Sequence, residues 1–159
     1  MRILLFISLL SLAACGFKPL YEAGGSSEAM QEQLSAIDVG PIPDRIGQIM
    51  RNRLLDRLNV SAQQKYRLDI SLAQSMEGYG VRPDAATSQE QLTLLASVKL
   101  VALTDETVLF EEEMRARTSY DIVLSDFATV TQREDSARRL VLELAERIHR
   151  RLALQFSKN

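Results

Sequence analysis

With one cysteine and one histidine in 159 residues, this chain has little scope for covalent or metal chemistry. The cysteine is Cys15, in "LFISLLSLAACGFKPLY", directly behind an apolar run and the small pair Ala13-Ala14. Small side chains give a peptidase room at the bond between Ala14 and Cys15, and the thiol is a nucleophile able to become a thioether. The histidine, His149 in "AERIHRRLA", has no cysteine or second histidine to share a metal with, and zinc usually takes three or four such ligands. A Ser-His-Asp triad is formally possible, but no Gly-x-Ser-x-Gly marks a nucleophile and no glycine-rich loop marks a phosphate site. Glu111, Glu112 and Glu113 are consecutive. On a strand Glu111 and Glu113 share a face and Glu112 points away. Like-charged neighbours can shift a pKa, yet an exposed edge or turn-proximal strand accounts for them without chemistry. The expectation is no catalytic residue, no metal and no cofactor.

Met1 and Arg2 give a positive start, and Ile3 to Leu12 is apolar except for Ser8 and Ser11. Such a run is too short for a spanning helix, which needs about 20 residues, but it suits the core of a secretory signal. Leu12-Ala13-Ala14-Cys15 resembles the bacterial lipobox. That resemblance implies cleavage between Ala14 and Cys15, then an S-diacylglyceryl, N-palmitoyl Cys15. An ordinary signal with a chance cysteine behind it is the alternative, as is a buried core cysteine. Several acyl chains anchor stably where one binds marginally, at roughly 0.8 kcal/mol per buried methylene. Gly16 stands where similar lipoproteins retained at the inner membrane carry Asp, so the expected location is the outer membrane, periplasmic side.

Loss of residues 1–14 leaves 145, the size of a single domain with one core. Arg2 leaves with the signal, and 18 basic residues then face 21 acidic ones. That balance is no nucleic-acid footprint, which calls for a basic excess. With Cys15 acylated no disulfide can form, and stability must come from packing.

Residues 15–33 read as a lipidated tether: aromatic anchors Phe17 and Tyr21 around Pro19, then the polar spacer "EAGGSSEAMQEQ". The two aromatics suit either the headgroup level of a membrane or the domain surface. Residues 34–159 read as one domain. "LSAIDVGPI" (34–42) has the look of a strand closed by Gly40, Pro41 and Pro43. A helix follows, with Pro43 and Asp44 suited to its start, Ile46, Ile49, Met50, Leu54 and Leu58 at helical spacing, and Asn59 as its stop. Its other face, with Arg45, Gln48, Arg51, Asn52 and Asp56, is either solvated or an anion-binding surface.

From Tyr66 the period becomes two, with Tyr66, Leu68, Ile70 and Leu72 on one side. "GYGVRPDAATS" makes a loop or hairpin tip, a long strand runs over 92–103, "TDET" turns the chain, and 108–122 is the next strand. Three strands so joined suggest an antiparallel meander. The last helix carries Phe127, Val130, Ala137, Val141, Leu144, Ile148 and Leu152 at a spacing of three and four. Ser125 or Asp126 can cap it, and Arg147, Arg150, Arg151 and Lys158 gather toward the end that the macrodipole makes negative. There His149 reads as a helix-flank histidine.

The order β-α-β-β-β-α gives an α+β class: a two-layer sandwich with two helices on one face of a four-stranded mixed or antiparallel sheet. The opposite face then stays open. Leu95, Val101 and Leu103 lie on that side, as a central strand's ordinary second face or as a surface that a partner covers.

Cys15-Gly16-Phe17-Lys18-Pro19-Leu20-Tyr21, the element order and the terminal "REDSARRLVLELAERIHRRLAL" resemble the LPS-assembly lipoprotein family LptE, particularly its alphaproteobacterial branch. The resemblance implies two helices against a four-stranded sheet and no enzymatic activity. It implies a large outer-membrane β-barrel partner, LptD-like, in whose lumen the lipoprotein sits as a plug while lipopolysaccharide is delivered to the outer leaflet. It also implies direct lipopolysaccharide binding through basic residues. Arg115 and Arg117 are the candidates by charge, beside the face of Arg45 and Arg51. Two other readings stand against this one: a periplasmic lipid- or solute-binding accessory lipoprotein of an envelope exporter, and an envelope hydrolase using His149 or paired carboxylates.

Overall fold

The structure, a computed structural model, describes residues 26–61, 63–81, 87–123 and 125–157. Ala14 and Cys15, the expected signal and the first part of the expected tether lie outside the described residues, as does Lys158. The elements are α1 (Ser26–Ser35), β1 (Ile37–Val39), α2 (Asp44–Leu58), β2 (Tyr66–Val81), β3 (Thr87–Ala102), β4 (Val108–Asp121) and α3 (Asp126–Phe156). The sheet order is β1-β2-β3-β4, with β1 parallel to β2 and the other pairs antiparallel. The expected two-layer α+β sandwich with a mixed sheet is therefore what forms.

Two local expectations change. The polar run ending the tether is helical from Ser26, so the helices number three among the described residues. Helix α1 has only Met30 and Leu34 to bury, one turn apart, and both are buried in the common core. A ten-residue helix is marginal alone, so docking is what holds it. Tyr66 Oη donates to Gln33 Oε1 at 2.7 Å, and the Ser61 and Lys65 N–H groups donate to the Ser35 and Ala36 carbonyls. The first strand is correspondingly short: Ile37–Val39, set against Tyr66–Leu68.

Helix α2 buries Met50, Leu54 and Leu58 as its spacing predicts, and Asn59 ends it in the left-handed conformation. Its start differs. Pro43 precedes it with no side-chain cap bond, and Asp44 takes a φ of 66°. Gly47 is required here, because a Cβ at that position would come within 2.7 Å of Ile42 Cγ2 and 2.8 Å of the Ile42 carbonyl oxygen. Arg51, on the face read as solvated or anion-binding, donates through Nε to the Val39 carbonyl at 3.1 Å and secures β1.

Helix α3 is the spine of the fold. Ser125 Oγ caps it by accepting the Ala128 N–H. Leu140, Val141, Leu144, Ala145, Ile148 and Leu152 are buried against the sheet and α2. Phe127 and Val130, at the top of the same apolar stripe, are 82% and 48% exposed. The arginines also do something other than neutralise a helix end. The last turn has no basic residue. Arg147 donates to the Arg115 carbonyl on β4 and to Glu143, and Arg151 pairs with Glu112 at 2.7 Å. A second polar tie sits near the other end of the helix. Arg133 donates to Tyr120 Oη and Glu90, and Tyr120 donates to Glu90, joining α3 to β3 and β4. The hydrogen bond from Tyr120 is the largest influence on the Glu90 carboxyl; burial opposes it, and with the hydrogen bond and charge of Arg133 added the carboxyl is held below its ordinary range.

Helices α2 and α3 meet around Glu146, which takes Arg53 at 2.6 Å and Arg57 at 2.9 Å. Its carboxyl is lowered chiefly by the hydrogen bond from Arg57. His149 stands beside them, its pKa lowered by burial and then by the Arg57 charge. At neutral pH the ring is therefore uncharged, and it gains nothing from the helix dipole.

Two outcomes are expected. Gly47→Ala should lower stability by about 1–3 kcal/mol, since the methyl must displace backbone; thermal melting at neutral pH measures it. Because the folded state lowers the His149 pKa, the unfolded chain binds the extra proton first. Stability should then fall as pH drops below about 6.5 toward the folded value. Glu146 and Glu90 add further loss below about 4.5 as their ion pairs protonate. His149→Gln should flatten the upper part of that profile, and a flatter profile only below about 4.5 would assign the effect to the carboxylates.

Candidate functional site

The open face of the sheet is built by strand alternation. Residues of even number on β2, β3 and β4 point under the helices, and those of odd number point away. Read across the register from the β1 end, the outer rows are Asp69, Lys99 and Glu111; Ser71, Ser97 and Glu113; Ala73, Leu95 and Arg115; Ser75, Thr93 and Arg117. These rows are polar and rich in small residues, with one large apolar side chain, Leu95, near their middle.

The structure brings some of the expected site residues together and separates others. Leu95 is half-buried directly opposite Arg115, and Arg117 is the next outward residue along β4. These three form one small neighbourhood. Val101 lies roughly 20 Å farther along β3 and is only 4% exposed. A register slip falls between Leu100 and Val101, and Val101 is set between Arg67 and Val108. Leu103 is beyond the strand end and 43% exposed. The three positions thus differ in exposure and are spread along β3 and past its end, and Leu95 is the one that lies beside Arg115 and Arg117.

The carboxylate run resolves as alternation requires. Glu112 is under the helix layer and paired with Arg151, while Glu113 accepts weakly from Ser97 Oγ at 3.5 Å. Glu111 faces Lys99. His149 is packed between α2 and α3, beside Arg57 and Glu146. No nucleophile is held against it in the hydrogen bonds of the described residues. Among those residues no group of three His, Cys, Asp or Glu could hold a metal, and no helix is long and apolar enough to cross a membrane.

Comparison with known proteins places this architecture. The family LptE, described as lipopolysaccharide-assembly, matches residues 33–152. An uncharacterised protein of Rickettsia prowazekii, strain Madrid E, is 28% identical over 145 residues, covering 91% of this chain and 90% of that one. Among solved structures, a lipoprotein-like chain of Caulobacter crescentus CB15 superposes with a TM-score of 0.66 at 20% identity, over 85% of this chain and all of the other. Rare lipoprotein B of Shewanella oneidensis gives 0.61 at 13% identity over 74% and 92%, and a minor lipoprotein of Acinetobacter baumannii gives 0.58 at 14% over 74% and 91%. At these identities the solved structures speak for the fold. The family match spans most of the sequence, from the end of α1 into the last turns of α3, and with it the chain belongs to the LptE family, whose role is lipopolysaccharide assembly without catalysis.

Proposed function

We propose that this chain works at the outer membrane, held to its periplasmic leaflet through acyl groups on Cys15, as the plug-like partner of a large LptD-type β-barrel. In this reading residues 1–14 are a signal peptide cleaved after Ala14, and the chain helps the barrel deliver lipopolysaccharide to the outer leaflet. The observation that carries the reading is the character of the open sheet face. A surface meant to lie in a barrel lumen must match polar walls, and this one offers small polar side chains and charges of both signs around Leu95. Family membership supports the same direction. Tethering in the membrane that holds the barrel raises the effective concentration of the partner. Arg115 and Arg117, exposed beside Leu95, are the proposed contacts for lipopolysaccharide phosphates or acidic lumen residues.

Extraction of outer membranes in mild detergent should recover the lipoprotein in equal amounts with a large β-barrel. Leu95→Asp, or Arg115→Glu with Arg117→Glu, should weaken that complex about tenfold, or roughly 1.4 kcal/mol, without lowering the melting temperature of the free protein. Recovery of free monomer alone from the unsubstituted chain would dismiss the proposal. Cys15→Ser should leave the protein unlabelled by palmitate and release it from the membrane fraction.

A further inference from the structure

The sheet has two outer edges, and they are treated differently. On β4 the outward peptide groups belong to odd residues. The Arg115 carbonyl accepts from Arg147, and the Leu109 carbonyl accepts from Gln155. Charged side chains crowd the same strand. These are common devices against strand addition. On β2 the outward groups belong to even residues. The Gly40 N–H donates to the Leu68 carbonyl on the β1 side, whereas the Lys65 carbonyl accepts from Leu103 on the β3 side. The register continues without slip from Tyr66 to Tyr79. Strand β1 ends at Val39, opposite Leu68. The N–H and C=O groups of Leu72, Gln74, Met76 and Gly78 therefore face outward with no strand beside them among the described residues, and that stretch has no lysine, proline or bulge, its one charged side chain being Glu77.

The helix layer is incomplete over the same stretch. Helix α2 is about 22 Å long, whereas β2 runs for roughly 50 Å. Beyond the start of α2, α3 alone among the described elements covers the sheet. This leaves a groove of about 360 Å³ with Gln74 on its floor, Ile46 and Ile49 on one wall and α3 on the other. Met76, the next residue on that face, is 48% exposed. Arg45 from α2 and Arg138 from α3 line the opposed walls, and Arg133, Glu134 and Asp135 of α3 line the groove as well, Arg133 paired with Glu90 and Asp135 with Arg139. Arg45 and Arg138 are both exposed, and neither has an ion pair or hydrogen bond among the described residues.

We propose that the outer edge of β2 from Leu72 to Gly78 accepts an extended, acidic polypeptide segment from a partner protein as a fifth strand. The backbone edge supplies the affinity of strand addition, and the groove supplies side-chain choice: apolar residues toward Met76 and Ile49, acidic ones toward Arg45 and Arg138. An anionic lipid would satisfy the two arginines but would leave the row of peptide groups unused, and this favours a polypeptide. The site is separate from the open face invoked for the barrel, and it does not depend on that assignment.

The test uses the full-length lipidated chain in detergent micelles and a blocked eight-residue peptide alternating valine and glutamate. Its binding should slow amide exchange at Leu72, Gln74, Met76 and Gly78 by about tenfold or more, and it should bind at least about tenfold tighter than the valine–lysine counterpart. Gln74→Pro removes an outward N–H that β3 does not use, so the sheet should stay intact, with unchanged protection across β3 and β4, while peptide binding is lost. Arg45→Glu with Arg138→Glu should keep the fold and reverse the preference toward the lysine peptide. No protection at these four amides, or equal binding by a folded Gln74→Pro protein, overturns the proposal. Protection by phosphatidylglycerol–phosphatidylcholine vesicles in place of the peptide would give the groove to lipid and overturn it as well.

Discussion

The burial of one face of α3 is the interaction on which the other elements rely. Thirty-one residues long, the helix lies along β3 and β4 and against α2, and α1 folds onto the end nearest Phe156. A fully buried leucine or isoleucine contributes about 1.5–3 kcal/mol relative to exposure, and Leu144, Ile148 and Leu152 are all at zero exposure. The polar ties around this stripe add direction more than energy, because half-exposed ion pairs are worth little each. Arg147 and Arg151 set the helix against β4, while Glu146 sets it against α2. Packing therefore holds the layer, and the charges fix its angle and register.

A sheet covered on one side only presents a functional surface without specialised machinery. The covered side takes the apolar residues of each strand, and the outer side can be fitted to whatever environment the protein occupies. Here it carries Ser71, Ser75, Thr93 and Ser97 between charged rows. Side chains of this kind suit water or another polar surface equally, and the family's role in lipopolysaccharide assembly calls for no catalytic cleft.

Much of this was legible from spacing. The alternation from Tyr66 and the three-and-four repeat from Ala137 to Leu152 give the hairpins and the long helix, and Asn59 and Ser125 mark ends that the structure keeps. Helix α1 was not legible, because its two apolar residues are too few to set a period against eight polar or small ones. Its helicity comes from the pocket that Met30 and Leu34 find. The two readings of Val101, an ordinary second face or a partner-covered surface, could not be separated by spacing, and the register slip beside it is a property of two strands that leaves no trace in one. Phe127 and Val130 fit the apolar stripe perfectly well, yet what lies beneath a helical turn depends on how far other elements extend. The β2 groove has no signal in the sequence for the same reason: it arises from a difference in length between α2 and β2.

That difference also divides the molecule along its length. Toward Tyr66 and Phe156, three helices and four strands close over one another; toward Gly78, three strands carry a single helix. Regions with fewer buried apolar neighbours open at lower free-energy cost. Thermal opening should therefore begin at the hairpin end and meet its first resistance at Glu90, Tyr120 and Arg133, which bind two strands to the helix in one step. The knot of three side chains stands on the row of Gly78, at the far end of the thinner half, and pins two of its strands to the helix where the cover is least.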